Sequence, residues 1–232
     1  MTASATSPTP FLLRVWAALG LLLLATAGGG AATTPERLAT YGASVRARLA
    51  PACEAAGVAY PPTTFTLIGL KAEKRLELWA PDAAGRPRLI KTYPILAASG
   101  GVGPKLREGD RQVPEGLYGI ESLNPNSRFH LSLRVDYPNA ADRRRAQAEA
   151  RTGLGGDIMI HGSDVSIGCL AMGDPAAEEL FVLAALTGPK NIRVILSPVD
   201  FRRQEKIALP AGLPTWVSAL HAEIKAELTR YR

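Results

Sequence analysis

Aromatic residues are scarce in this chain: Phe, Tyr and Trp make up 6% of its 232 residues. Surfaces that hold single-stranded nucleic acid stack bases on aromatic rings, so this composition argues against that class, and no nucleic-acid partner is expected. Cysteine occurs twice and histidine three times. A catalytic zinc takes about three protein ligands and leaves one position open. With only His130, His161 and His221 present, and no His-Glu-x-x-His pattern, no metal or other cofactor is expected. The glycine-rich run Ser99–Pro104 precedes no Gly-Lys-Ser/Thr and opens no helix, which leaves phosphate binding a weak reading. What remains is a globular composition, 47% hydrophobic and 21% charged, long enough for one domain with a real core.

The N-terminus speaks to compartment. Phe11 to Ala27 is apolar apart from Arg14 and Thr26, with Leu21–Leu24 at its centre and Ala25-Thr-Ala27 as a small-x-small cleavage pattern. The apolar stretch after Arg14, Val15 to Ala27, is short for a membrane span. Residues 1–27 therefore read as a cleaved signal peptide, with an uncleaved anchor as the rival. No stable membrane span is expected after its removal, and the protein is expected in the periplasm or cell envelope. The formal charge of +6 falls to +5 without Arg14, a mildly basic balance that suits anionic surroundings and equally suits simple solubility. Two cysteines in an exported protein raise the question of a disulfide. We expect Cys169 free and Cys53 structural, unpaired with it.

Along the chain, Leu38, Tyr41, Val45 and Leu49 recur at helical spacing, with Pro35 at a first turn and Pro51 as an end. Residues 28–62 are thus a linker and packing helix. From Thr64 the period shortens to two: Thr64–Leu70, Lys74–Trp79 and Arg88–Ile95 read as a meander, with Leu76, Leu78 and Ala80 on one face and Arg75, Glu77 and Trp79 on the other. Pro114–Ile120 re-enters a strand, Leu131–Val135 is a strand with apolar odd positions, and Asn191–Leu196 is another. Pro138–Arg151, with the basic triplet Arg143–Arg145, reads as a surface insertion of partly helical composition. Asp174 and Pro175 read as an N-cap and first turn of a helix that Thr187-Gly188-Pro189 ends. Val217, Leu220, Ile224 and Leu228 form one stripe of a C-terminal helix within 201–232 that packs on the domain. The fold class is mainly β with peripheral helices, α+β.

One stretch carries chemistry: Asp157-Ile-Met-Ile-His161-Gly162, then Ser166-Ile167-Gly168-Cys169-Leu170. His161 stands where a strand would stop, and Gly162 and Gly168 bracket a short loop before a single cysteine. Glycine beside a nucleophile permits a tight turn and lets backbone N–H groups approach a carbonyl. A thiol needs a base, and imidazole has the pKa to serve. A buried cysteine is ordinarily inert and a lone histidine ordinarily structural, so spacing alone leaves both readings open.

The segment resembles the active-site motif of the L,D-transpeptidase catalytic domain (YkuD-type) family, a His-Gly followed by Ser-His-Gly-Cys and an apolar residue. Two departures stand out: the gap is short, and Ile167 replaces the second histidine. Both are similar to the YafK-like branch, as are Gly103–Asp110, Val113–Tyr118 and Leu123–Arg128 upstream. The resemblance covers roughly residues 64 to 197 and implies a sandwich-like catalytic domain over 63–200. It implies Cys169 as nucleophile, His161 as general base and acid, the Gly162 carbonyl orienting the imidazole, the N–H groups of Cys169 and Gly168 or Ile167 facing an oxyanion, and Ser166 either supporting the site or shaping the turn. Arg107, Arg111 and Arg128 are candidates for gripping stem-peptide carboxylates, against a plain solvated face. Where the wider family often has arginine, two after the cysteine, this chain has Ala171. The implied activity is acyl transfer on peptidoglycan stem peptides through a thioester. The alternatives are hydrolysis by the same mechanism that releases a wall-linked lipoprotein, and an inactive wall-binding module.

Overall fold

The computed structural model describes residues 1–2 and 31–232; the leader read from the sequence lies, past its first two residues, outside the described part. Thr33 caps the first helix, α1 (Thr34–Ala55), through a reciprocal box with Glu36, and Pro35 takes the first turn, where a missing N–H costs nothing. Pro51 was expected to end this helix, yet the helix runs through it to Ala55. Proline forfeits one helical hydrogen bond, but Val45, Leu49 and Cys53 form a four-residue-spaced stripe, each fully buried. Burying Cys53 holds the last turn against the core and outweighs the lost bond.

Period-two alternation then builds a meander: β1 (Phe65–Leu70), β2 (Arg75–Pro81) and β3 (Pro87–Pro94), paired antiparallel in sequence. β4 (Gly116–Ser127) and β5 (His130–Val135) make a second antiparallel pair. After α2 (Ala140–Ala148) come the short strands β6 (Met159–His161) and β7 (Leu170–Ala171), which run parallel. Helix α3 (Asp174–Thr187) leads by a 3-10 turn into β8 (Ile192–Ser197), and α4 (Val217–Leu228) lies near the C-terminus.

In hydrogen-bond terms the expected sandwich is one mixed sheet of eight strands, in the order β3-β2-β1-β8-β4-β5-β6-β7. β4 makes it fold over. Its first residues, Gly116–Gly119, pair with β8, and from Ile120 it pairs with β5, with irregular register between Ile120 and Ser122. Bulges of this kind bend a strand. The folded sheet nearly closes: Leu96 N–H donates to Ala171 O at 2.8 Å, and Ala171 N–H to Ala97 O at 2.9 Å, joining the exit of β3 to β7.

Burial follows the alternation. Phe65, Leu67, Leu76 and Leu78 face a core shared with α1, α3, β5 and β8, while Ile68, Leu70 and Trp79 face a second core closed by Leu220, Ile224 and Leu228 of α4. β1 is therefore buried along its whole length. Asp174 was expected to be the N-cap of α3. It is instead the first helical residue behind Gly173, and its carboxylate accepts the Ser163 N–H at 2.8 Å, leaving the helix without a side-chain cap and tying the loop after β6 to it.

Candidate active site

The site lies where β6 and β7 run side by side. Their register pairs Ile160 with Leu170 and His161 with Ala171, so Cys169, one residue before β7, falls opposite Met159. Side chains alternate along a strand, and Ile160 and Leu170 are both buried in the core. Met159, His161 and Cys169 therefore share the other face. Two residues along and one strand across place the α-carbons of His161 and Cys169 roughly 8 Å apart, from the ordinary rise and spacing of strands. The seven intervening residues are thus folded back by strand pairing.

His161 is 1% exposed, and its ring stacks on Phe129 with centroids 4.7 Å apart. Its Nδ1 lies 2.6 Å from the Gly162 carbonyl oxygen. A carbonyl only accepts, so Nδ1 carries the proton and Nε2 is the basic nitrogen. Burial lowers the imidazole pKa, and the hydrogen bond to Gly162 restores only part of it. Gly162 is sterically obligatory: a Cβ there would land on the Asp174 carboxylate and stand 2.8 Å from Phe129 O and 3.0 Å from His130 Cβ.

No hydrogen bond joins the Cys169 thiol to the imidazole. Sγ donates to Asp157 O and accepts the Met159 N–H, each at 3.4 Å. Burial raises the thiol pKa and the Asp157 charge adds to it; the Met159 N–H and the Lys105 charge pull the other way, and the balance is upward. Lys105 is itself buried, its Nζ donating to Asp110 Oδ1 at 2.7 Å and to Arg107 O at 2.9 Å.

The two backbone N–H groups expected to face an oxyanion are both occupied. Cys169 N–H donates to Ser166 Oγ at 2.9 Å, and the same hydroxyl donates to Cys169 O at 2.6 Å, so Ser166 shapes the turn. Gly168 N–H donates to Ser99 Oγ at 2.6 Å, and Ser99 donates onward to Arg111 O at 2.7 Å. The expectation that these N–H groups stand open toward a substrate oxygen is not met in this conformation. Hydroxyls outcompete solvent for them because the loop is drawn tight at Gly168, where φ is +93°. Strain gathers here as well: of the six non-glycine residues with positive φ among the described residues, Arg111, His130, Asp157 and Ser163 lie in or beside these segments.

Arg107, Arg111 and Arg128 are all exposed, and none forms an ion pair among the described residues. Arg128 precedes Phe129, and Arg111 is bonded through its carbonyl to Ser99; Arg107 belongs to the loop that the Asp110 carboxylate ties together through Leu106 and Arg107 N–H. Ser99, Lys105 and Phe129 were not singled out as site residues from the sequence. Ser99 opens a glycine-rich loop and Phe129 stands beside a turn, and neither segment points in sequence to the site, while Lys105 lies in the Gly103–Asp110 run, which carries no role by itself. Cys53 and Cys169 are both free. His130 contacts Glu178 and His221 contacts Glu115, so the three histidines occupy three separate places. Among the described residues no group of three or more His, Cys, Asp or Glu is arranged to hold a metal ion.

Comparison with known proteins decides the family. The YkuD family, the L,D-transpeptidase catalytic domain, matches residues 67–195. The chain belongs to this family. Two Escherichia coli proteins provisionally named L,D-transpeptidase YafK, from strain K12 and from O157:H7, are each 37% identical over 133 residues, 55% of this chain and 51% of theirs. The chain thus matches about half the length of these curated relatives. Among solved structures, the helical cell shape determining protein Pgp2 of Campylobacter jejuni aligns over 59% of this chain and 48% of its own, at 24% identity and a TM-score of 0.46. Bd1075 of Bdellovibrio bacteriovorus aligns over 72% and 55%, at 18% identity and a TM-score of 0.43. With one mixed eight-stranded sheet and four α-helices among the described residues, this chain is an α+β protein. Among the described residues no helix is long and apolar enough to cross a membrane.

Proposed function

We propose that this chain is an exported cysteine acyl transferase of the L,D-transpeptidase type, acting on peptidoglycan stem peptides from a catalytic region over residues 63–200. The leader, 1–27, is removed after Ala27. The observation that carries the reading is the His161 Nδ1 contact to the Gly162 carbonyl, 2.6 Å, which commits Nε2 to base duty on the same strand face as Cys169. Family membership supports the same chemistry.

The steps follow from these groups. The thiol gives up its hydrogen bond to Asp157 O, and as the S–H bond breaks its proton passes to His161 Nε2 while Sγ bonds to the amide carbon. The carbonyl oxygen takes negative charge and is met by backbone N–H of Cys169 and Gly168, which Ser166 and Ser99 must yield. Losing one such donor ordinarily costs roughly 3 kcal/mol of barrier. The C–N bond then breaks, the imidazolium returns its proton to the departing amine, and a thioester remains on Cys169. An amine acceptor closes a new peptide bond; water gives a free carboxylate. Arg107, Arg111 and Arg128, exposed and unpaired, are suited to stem-peptide carboxylates.

The test is covalent. A carbapenem incubated with the purified protein is expected to add its mass to the wild type and not to Cys169→Ala. Absence of the adduct in wild type overturns the enzyme reading in favour of a wall-binding module. Muropeptide mass spectrometry then separates the outcomes: new stem-to-stem cross-links mark transfer, and loss of wall-bound lipoprotein without them marks hydrolysis.

A further inference from the structure

The register of β1 sets two ends of the sheet apart. At one end Leu70 pairs with Ser197 and with Arg75, whose partner Pro94 leads through Ala97 to Ala171 and the site above. At the other end, where Phe65 pairs with Ile192, lies a cavity of about 350 Å3. Five residues of strand separate the ends, about 17 Å.

The chemistry of this cavity is one-sided. Its floor is Trp79 and Tyr231, packed edge to face and nearly buried, with the Tyr231 hydroxyl paired to Thr66 Oγ1 at 3.0 Å. Its rim carries Lys190, Arg193 and Arg230, all exposed. No lining residue is acidic. Arg193 at 2.8 Å and Arg230 at 3.2 Å share one carboxylate, Glu227, which is not part of the lining; among the described residues Lys190 forms no ion pair. The lining thus carries three cations and no acid beside an apolar floor.

We propose that this cavity is a second binding site, for a carboxylate-bearing glycopeptide fragment of the wall polymer. Lys190 meets the ligand carboxylate, the guanidinium of Arg193 is shared between Glu227 and the ligand, and the floor takes the ligand's apolar surface. That the ligand is a wall fragment rests on the function proposed above; that the cavity takes an amphipathic carboxylate rests on its lining alone. A polymer held here and at Cys169 together would be retained between turnovers, because the second contact is made at high effective concentration.

The test is titration of the full mature chain, carrying Cys169→Ser so that nothing is consumed, with soluble disaccharide-peptide from digested peptidoglycan, followed by amide NMR. Shifts are expected at Thr66, Arg193 and Tyr231, and Lys190→Glu is expected to weaken them about tenfold, the worth of one charge-assisted contact. Lys190→Ala is a gentler second variant at the same exposed position. Shifts around Gly168 should survive both, as should the rate at which carbapenem labels the Cys169 thiol in a Lys190→Glu chain. The proposal is overturned if no shift appears at Thr66, Arg193 and Tyr231, or if the shifts there ignore both variants. A chain that shifts at this cavity but never acylates Cys169 sinks the enzyme reading alone, so the two failures are distinguishable.

Discussion

Burial pushes the Cys169 thiol above its ordinary value and the His161 imidazole below its own, so at neutral pH the two rest uncharged. In the mechanism proposed above, the imidazole would act as a base during attack and would hold no preformed thiolate. Alkylation of Cys169 by iodoacetamide, followed against pH, should therefore inflect above the ordinary thiol value of about 8.5. An inflection below neutrality would mean an ion pair and a different resting state. Acylation by a carbapenem should fall on the acid side only below the ordinary imidazole value of about 6.5, because a lowered pKa keeps the base form in hand at lower pH. The residue between base and loop is just as constrained. Gly162→Ala would press a methyl onto Asp174, Phe129 and His130, displacing the carbonyl that orients His161. We expect adduct formation to slow about 100-fold, the usual cost of a small misplacement, and a thermal melt to show a loss of about 1–3 kcal/mol.

At the scale of elements, the site is a junction of loops held by buried polar groups. Ser99 bridges Gly168 N–H to Arg111 O and so couples the run after β3 to the loop before Cys169. Ser99→Ala should cost about 1 kcal/mol and should speed hydrogen exchange at the Gly168 amide. Unchanged exchange there would remove Ser99 from the loop's support. Glu115, fully buried just before β4, takes Lys71 at 3.0 Å, His221 of α4 at 2.7 Å and the Gly103 N–H at 2.8 Å. Lys71 Nζ also donates to Gly103 O and Val113 O, so one carboxylate anchors both ends of the Gly103–Val113 run to β1 and α4. Glu115→Ala strands a buried lysine and should cost about 3–5 kcal/mol in denaturant unfolding. Burial raises the Glu115 pKa, but the His221 and Lys71 partners more than reverse this, and the folded value lies below the ordinary one. Its contribution to stability is therefore complete above about pH 4.3, the unfolded value, and is lost as pH falls through the folded value.

At the scale of the molecule, two cores share one sheet, and α4 closes the second by covering Ile68, Leu70 and Ile195. A chain ending before Pro214 would open that face to water. It should lose near-ultraviolet circular dichroism and bind a hydrophobic dye while keeping much of its far-ultraviolet signal; a cooperative melt in the truncated chain would show that α4 is dispensable.

The stripes were legible in the sequence because periodicity reports which side of an element meets a core. Val45 and Leu49 of α1, Leu76 and Leu78 of β2, the odd positions of β5 and the Val217–Leu228 stripe all have the burial their spacing implied, whereas Glu77 and Trp79 on the other face of β2 are buried too. The His-Gly and Gly-Cys pairs and the family were legible too, since they reside in residue types at short range. Local rules misled at Pro51 and Asp174, where a buried Cys53 and an amide across the loop decided matters over propensity and capping preference. Only tertiary structure could seat Cys169 beside β6 on the His161 face, fold the sheet at β4, and bring Ser99 to Gly168 across 69 positions of chain. Those are contacts between distant segments, and side-chain periodicity carries no information about which distant segment will supply a partner.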